Sequence, residues 1–355
     1  MRRRYYYIDI LRWVLMIFVC VNTFSFPGQL GAYLKIISGF AYICFFILSG
    51  FLVLRHNHHI EQKIKAAIRR TGIMALTLFF FYLLLNIVYL ALRKQSFLEV
   101  MKAFMTSKRM IFQFVALNAW FLPIGDTFWF IQCLLYGYVA IYILKKLDLL
   151  KYDYIICLIC LIIAVLTGEL ANIIHFNFLG YTHIPSTVIT RSLPYLLLGR
   201  IIGRNRKYFV KHRMEIYLTF IPVSVWLTVV EIQALSKSNN LIYTGHMIGN
   251  GLLACVLCGY VIMREDWGQQ PMYKDNYLIS NARHYVKYVY AFHQICGIIY
   301  LLMIRNLLSR YYYYLAPLVS IVAFITSLLI GIVVRGCVDS MRFEEDEENE
   351  VKISV

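Results

Sequence analysis

Asp9 and Arg12 stand three residues apart at the start of an apolar run, a spacing that puts both on one helix face where they can pair. A charge inside a membrane helix costs several kcal/mol unless it meets a partner or a wet cavity. Polar residues sunk in apolar runs are therefore where chemistry is sought, and six qualify: Asp9, Arg12, Glu169, Arg200, His246 and His293. Asp9 with Arg12 reads either as a juxtamembrane ion pair anchoring the first helix or as the polar lining of a cavity. Eleven residues after Arg12, roughly 16 Å of helical rise, Thr23 lies on the same stripe, preceded by Asn22. His293, in KYVYAFHQICG with Gln294 beside it, is either a hydrogen-bonded interhelical contact or a proton acceptor and donor tuned near neutrality.

The elements that must hold these residues are about ten apolar stretches, most of them near the ~20 residues that cross ~30 Å of hydrocarbon. They lie at about Ile8–Phe26, Leu30–Leu54, Gly72–Leu92, Phe128–Leu144, Tyr154–Ile174, Ser192–Gly203, Glu215–Ile232, Leu241–Met263, Tyr285–Leu302 and Leu315–Val334. The sixth is short; it is a partial span or is extended backwards by the apolar residues before it. Within hydrocarbon every backbone amide needs an internal partner, so the chain is expected to be an all-α, polytopic transmembrane helix bundle. Composition agrees: 60% of residues are hydrophobic and 15% charged, and the mean hydropathy is +0.64. A water-soluble fold would leave too much apolar surface uncovered.

Lysines and arginines mark the cytoplasmic side. With the N-terminus inside, the even-numbered connections carry Arg55, Lys63, Lys65, Arg69 and Arg70, then Lys145, Lys146 and Lys151, then Arg204, Arg206, Lys207, Lys211 and Arg213. Both termini are then cytoplasmic, in a multi-pass protein of the cell membrane. The segment from Arg93 to Thr127 breaks the rule, and an interfacial helix near Phe97–Phe104 is expected there. The net charge of +16 is accounted for by cations at membrane edges facing anionic lipid, so membrane lipids rather than nucleic acid are the expected partners. Two CxxC pairs, Cys157 with Cys160 and Cys255 with Cys258, sit inside apolar runs as small hydrophobes, and no metal site is expected from them or from His56, His58 and His59. The basic start runs into the first span without a cleavage site, so that helix is expected to stay. Residues 1–336 form one transmembrane domain, and the acidic run in 337–355 is expected to be an unstructured cytoplasmic tail with no further domain attached.

Six phrases occur in an order that resembles the membrane acyltransferase-3 family: YIDILRWVLMIFVCVNTF, FFILSGFLVLR, IRRTG, FWFIQCLLYGY, SLPYLLLGRIIG and YVYAFHQ. The resemblance covers nearly the whole chain. It implies about ten helices and transfer of acyl groups, acetyl foremost, from cytoplasmic acyl-CoA to a hydroxyl of a cell-surface polysaccharide or lipid-linked glycan. Acyl-CoA would be the donor substrate, with no permanently bound cofactor. By the same resemblance Arg12 matches the first-helix arginine, which would hold the CoA phosphate or thioester end, and His293 matches the late YxxH histidine. Ser49, Gly50 and Phe51 match the SGF phrase. Trp129 and Tyr136 would shape a sugar or pantetheine channel, and Arg69 with Arg70 would attract the nucleotide. Asp9, Asn22 and Thr23 on the first helix would contact substrate.

One departure bears on mechanism. The family's first helix places a histidine eleven residues after its arginine, as the base that activates the acceptor hydroxyl; this chain has Thr23 there. Threonine does not take a proton at neutral pH as imidazole does. Three accounts follow: His293 serves as base, positioning alone supports a slower reaction, or the protein is a relative that carries or binds acyl or glycosyl lipids without transferring them.

Overall fold

The computed structural model describes residues 6–55, 59–175, 187–211, 214–237, 247–266, 282–307 and 309–353. It is an all-α bundle, with no strand among the described residues. In order the helices are α1 (Tyr6–Thr23), α2 (Gly28–Ser38), α3 (Phe40–Leu54), α4 (Ile60–Leu92), α5 (Phe97–Thr106), α6 (Lys108–Ala116), α7 (Phe128–Lys146), α8 (Asp153–Thr167), α9 (Leu193–Arg204), α10 (Arg206–Lys211), α11 (Met214–Lys237), α12 (Ile248–Asp266), α13 (Ala282–Leu307), a short α14 (Tyr312–Leu315) and α15 (Val319–Ile353). Among the described residues, eight helical segments are long and apolar enough to cross a membrane, counting α2 with α3 as one. A further apolar helix, Ile248–Arg264, is shorter.

Burial sorts these helices into layers. In the α2–α3 segment 72% of the most apolar window is buried, whereas the windows of α4, α8 and α15 are 28% buried and that of α11 is 22%. The poorly buried helices are therefore an outer ring whose exposed Leu76, Phe80, Leu84, Trp226 and Leu329 have lipid as their solvent. The α3 helix lies at the centre, packed against α1, α4, α9 and α12. Its closest approach is to α9. An added Cβ at Gly50 would stand 2.1 Å from the Leu196 carbonyl oxygen, and one at Gly199 2.1 Å from that of Ile47. Lipid offers no hydrophobic drive between helices, so dispersion contact of this kind, permitted by small residues, is what associates them. Gly50 in the SGF phrase and Gly199 in LLLGR are thus packing residues. Gly50→Ala is expected to lower stability by about 1–3 kcal/mol, the usual overpacking cost, because backbone rather than a movable side chain stands in the way. Thermal unfolding in detergent reads this, and a melting temperature equal to the wild type's would contradict the close crossing.

The short sixth stretch is lengthened backwards. A π-helical turn, Val188–Ser192, leads directly into α9. A reciprocal cap starts it: Thr187 Oγ1 accepts from Thr190 N at 3.2 Å, and Thr190 Oγ1 accepts from Thr187 N at 3.1 Å. The expected interfacial helix is α5, and α6 follows it; Ser96 and Ser107 cap them by accepting from Glu99 N and Met110 N, each at 3.3 Å. The helix expected from Gly72 begins at Ile60, because the basic turns that lower its hydropathy are still good helix formers. The second stretch divides at Gly39. His56, His58 and His246 lie outside the described residues. The acidic run Glu344–Glu350, expected to be unstructured, lies within the bounds of α15.

The connection before α7 is tied down by α4. Asn86, fully buried, donates to the Ile124 carbonyl at 2.6 Å and accepts from Ile124 N at 2.9 Å, while Trp120 Nε1 also donates to Ile124 O at 2.6 Å. This clasp fixes where α7 begins, and so where Thr127 and Trp129 stand.

Candidate active site

Thr23 is the last residue of α1, and His293 lies in α13, fully buried. Their side chains meet, Thr23 Oγ1 to His293 Nε2, at 3.2 Å. The other ring nitrogen decides the chemistry. Nδ1 stands 2.8 Å from the Tyr290 carbonyl oxygen and 3.1 Å from that of Val289. Carbonyls only accept, so Nδ1 carries the proton and Nε2 presents a lone pair toward Thr23. The Thr23 hydroxyl has one proton and two acceptors within reach, His293 Nε2 and the Val19 carbonyl at 3.0 Å.

Several contacts hold α13 in register. Tyr82 of α4 donates to Ala291 O at 3.1 Å and touches Thr127 Oγ1 at 3.2 Å. Thr127 donates to Gln294 Oε1 at 3.2 Å, and the Tyr290 hydroxyl donates to the Thr127 carbonyl. At Gly297 the absence of a Cβ admits the Phe24 ring, which an added carbon would approach to 2.2 Å. Phe24 thereby seats the end of α1 on α13, with Thr23 beside the imidazole.

Tyr42 of α3, also buried, neighbours Thr23. The Tyr42 ring lies 4.9 Å from Trp129 of α7. Over the Trp129 ring, 5.6 Å from its centroid, sits the guanidinium of Arg191, only 3% exposed. Arg191 also interacts electrostatically with Tyr42. A guanidinium over an indole face is a favourable cation–π arrangement, stronger when desolvated. Sequence reasoning passed over Arg191 because it stands one residue before the assigned sixth stretch. The signal was the Thr-x-x-Thr that caps the π-helical turn and draws Arg191 into the bundle. A π-turn of this kind often marks a functional site.

The other sequence candidates lie elsewhere. Arg12 is ion-paired with Asp9 on α1, its side chain 18% exposed. Eleven residues of continuous helix, about 16 Å of rise, separate it from Thr23, so the structure does not bring Arg12 to His293. Asn22 donates to the Lys35 carbonyl at 2.6 Å and ties α2 to the end of α1. Arg69 and Arg70 are exposed on α4, twelve or more residues from Tyr82, about 18 Å along the helix. Trp129 is at the centre beside Tyr42. Tyr136, seven residues further along α7, accepts from Gln132 Nε2 at 3.2 Å. Of the remaining embedded charges, Glu169 accepts from Ile248 N at 3.2 Å at the start of α12, and Arg200 pairs with Asp153 at 3.0 Å.

The described residues form a polytopic helical bundle with a buried, tautomer-fixed imidazole against a hydroxyl in its interior. A family model described as an acyltransferase domain, of the acyltransferase-3 type, matches residues 5–336. The chain belongs to that family and is an acyltransferase. Neither the curated proteins nor the solved structures contain a match to it.

Proposed function

We propose that the protein is an O-acyltransferase of the cell membrane, with both termini cytoplasmic, that moves acetyl from acetyl-CoA to a hydroxyl of a surface polysaccharide or its lipid-linked precursor. The observation that carries this reading is the His293 Nε2 lone pair, buried, oriented by two backbone carbonyls and 3.2 Å from the Thr23 hydroxyl. The acceptor hydroxyl gives its proton to Nε2 as its oxygen bonds the thioester carbonyl carbon. The carbonyl electron pair moves onto oxygen, forming a tetrahedral oxyanion. Collapse expels the CoA thiolate, which takes the proton back from His293, leaving an ester and a free thiol. Arg191, held by Trp129 on the Tyr42 side, supplies a buried positive charge for the oxyanion.

An extended donor lying along α1 would carry its thioester at the Thr23 end and its phosphates toward Arg12, which suits the ~16 Å between those residues. The paired Asp9 orients the Arg12 guanidinium. Arg69 and Arg70 attract the nucleotide at the cytoplasmic mouth, and Trp129 with Tyr136 shape the channel. Arg12→Ala is expected to raise the KM for acetyl-CoA tenfold to a hundredfold, from ~1.5–3 kcal/mol for a hydrogen bond to a charged group, with a smaller change in kcat. Initial rates of label transfer from acetyl-CoA to extracted glycan by membranes carrying each form read this. An unchanged KM would remove Arg12 from the donor site.

Thr23 favours a second reading, in which the site binds an acyl or glycosyl lipid and turns it over slowly or not at all. Binding of the lipid without label transfer by the wild type would support that reading.

A further inference from the structure

We infer that a basic cavity at the opposite end of α7 from Trp129 is a binding site for a phosphate-bearing anion. The cavity measures about 330 Å³, at the lower end of the ~300–1,000 Å³ usual for ligand sites. Lys145 at the end of α7, Lys151 in the turn that follows, and Arg200 and Arg204 at the end of α9 line it, with Asp148 at the rim and Ile60 and Leu150 as its apolar walls.

What makes this a built site is Asp153. It is completely buried at the start of α8, and its Oδ2 accepts from Arg200 Nε at 3.0 Å and from Arg204 Nη1 at 2.7 Å. Arg200 is further fixed by donating from Nη1 to the Leu54 carbonyl at 3.2 Å. One carboxylate thus orients two guanidiniums without neutralising both. Lys151 pairs with Asp148 at 3.1 Å, and Lys146 outside the cavity pairs with Glu61 at 3.0 Å. Lys145, half-buried, has no carboxylate partner among the described residues. Four lining cations against Asp148 and Asp153 leave a net charge of +2. A phosphomonoester or diphosphate complements that charge, and the planar guanidinium fork of Arg204, with a side chain 37% exposed, suits its oxygens.

This end of the bundle carries the basic connections, cytoplasmic in the orientation proposed above. Two sources could supply the phosphate there: the nucleotide of a CoA-type donor, which would then seat here rather than at Arg69 and Arg70, or an anionic lipid headgroup of the inner leaflet. The site does not depend on transfer activity, so binding alone tests it.

The test uses the full-length protein in neutral detergent or nanodiscs, compared with Lys145→Ala/Lys151→Ala, which leaves the Asp153 brace intact. The probes are CoA, and phosphatidylglycerol against phosphatidylcholine counted by native mass spectrometry. The expected result is that one probe binds at least tenfold more weakly to the double variant. Loss of CoA binding alone assigns the nucleotide, and loss of phosphatidylglycerol retention alone assigns the lipid. Amine-reactive labelling of wild-type Lys145 and Lys151, with and without each probe, gives the same answer should the variant fail to fold. Equal binding of both probes by a folded variant, or labelling that neither probe slows, overturns the site.

Discussion

Replacing His293 by alanine is expected to lower the rate of acetyl transfer by about a hundredfold to ten-thousandfold, the range for losing a general base. The KM for acetyl-CoA should change little, because the imidazole acts on the acceptor hydroxyl rather than on the donor. The fold should survive. Nδ1 is bonded to backbone carbonyls of its own helix, and among the described residues its hydrogen bond to another helix is the one to the Thr23 hydroxyl, while α13 keeps its ties through Tyr82, Thr127 and Tyr290. An unfolding profile like the wild type's beside a collapsed rate is therefore the expected pair of results. A wild-type rate in His293→Ala would show that the proton goes elsewhere.

The second large effect runs the other way. Thr23→His places an imidazole where the Thr23 hydroxyl now meets His293 Nε2. Thr23 is half-buried and ends its helix, so a larger side chain can be admitted without displacing a helical turn. A second basic nitrogen beside the first offers the acceptor hydroxyl an alternative base, and transfer is expected to rise by about tenfold to a hundredfold, the lower part of what a well-placed base contributes. Initial rates at saturating acetyl-CoA check this. An unchanged or lower rate would mean that the scaffold has repacked around threonine and no longer accepts a base at that position.

These expectations mix what was legible in the sequence with what was not. Long apolar runs reveal transmembrane helices because the bilayer dictates both their length and their composition, so the all-α bundle could be read directly. The helix α5 was expected in the long basic segment before α7, whereas α6 was hidden behind Ser107, whose capping role shows only once two helices flank it. For the site, spacing along one helix placed Arg12 and Thr23 on a common stripe correctly. It could not say which of the two lies opposite His293 of α13, and that residue is Thr23 rather than Arg12. Arg191 was missed for a related reason: a hydropathy window ends a span at its charge, although the π-helical turn carries Val188–Ser192 into the bundle. Gly50 and Gly199 looked like motif letters, and their meaning, backbone against backbone, exists only in the packed pair.

The claim on which the rest depends is that proton transfer happens where residue 23 meets residue 293. Its most direct test is one side-by-side assay of labelled acetyl transfer by wild type, His293→Ala and Thr23→His/His293→Ala in the same membranes. The expected result is a collapse in the single variant and recovery by at least about tenfold in the double variant, as a base returns to the same spot from the other helix. A His293→Ala rate equal to that of the wild type would contradict it.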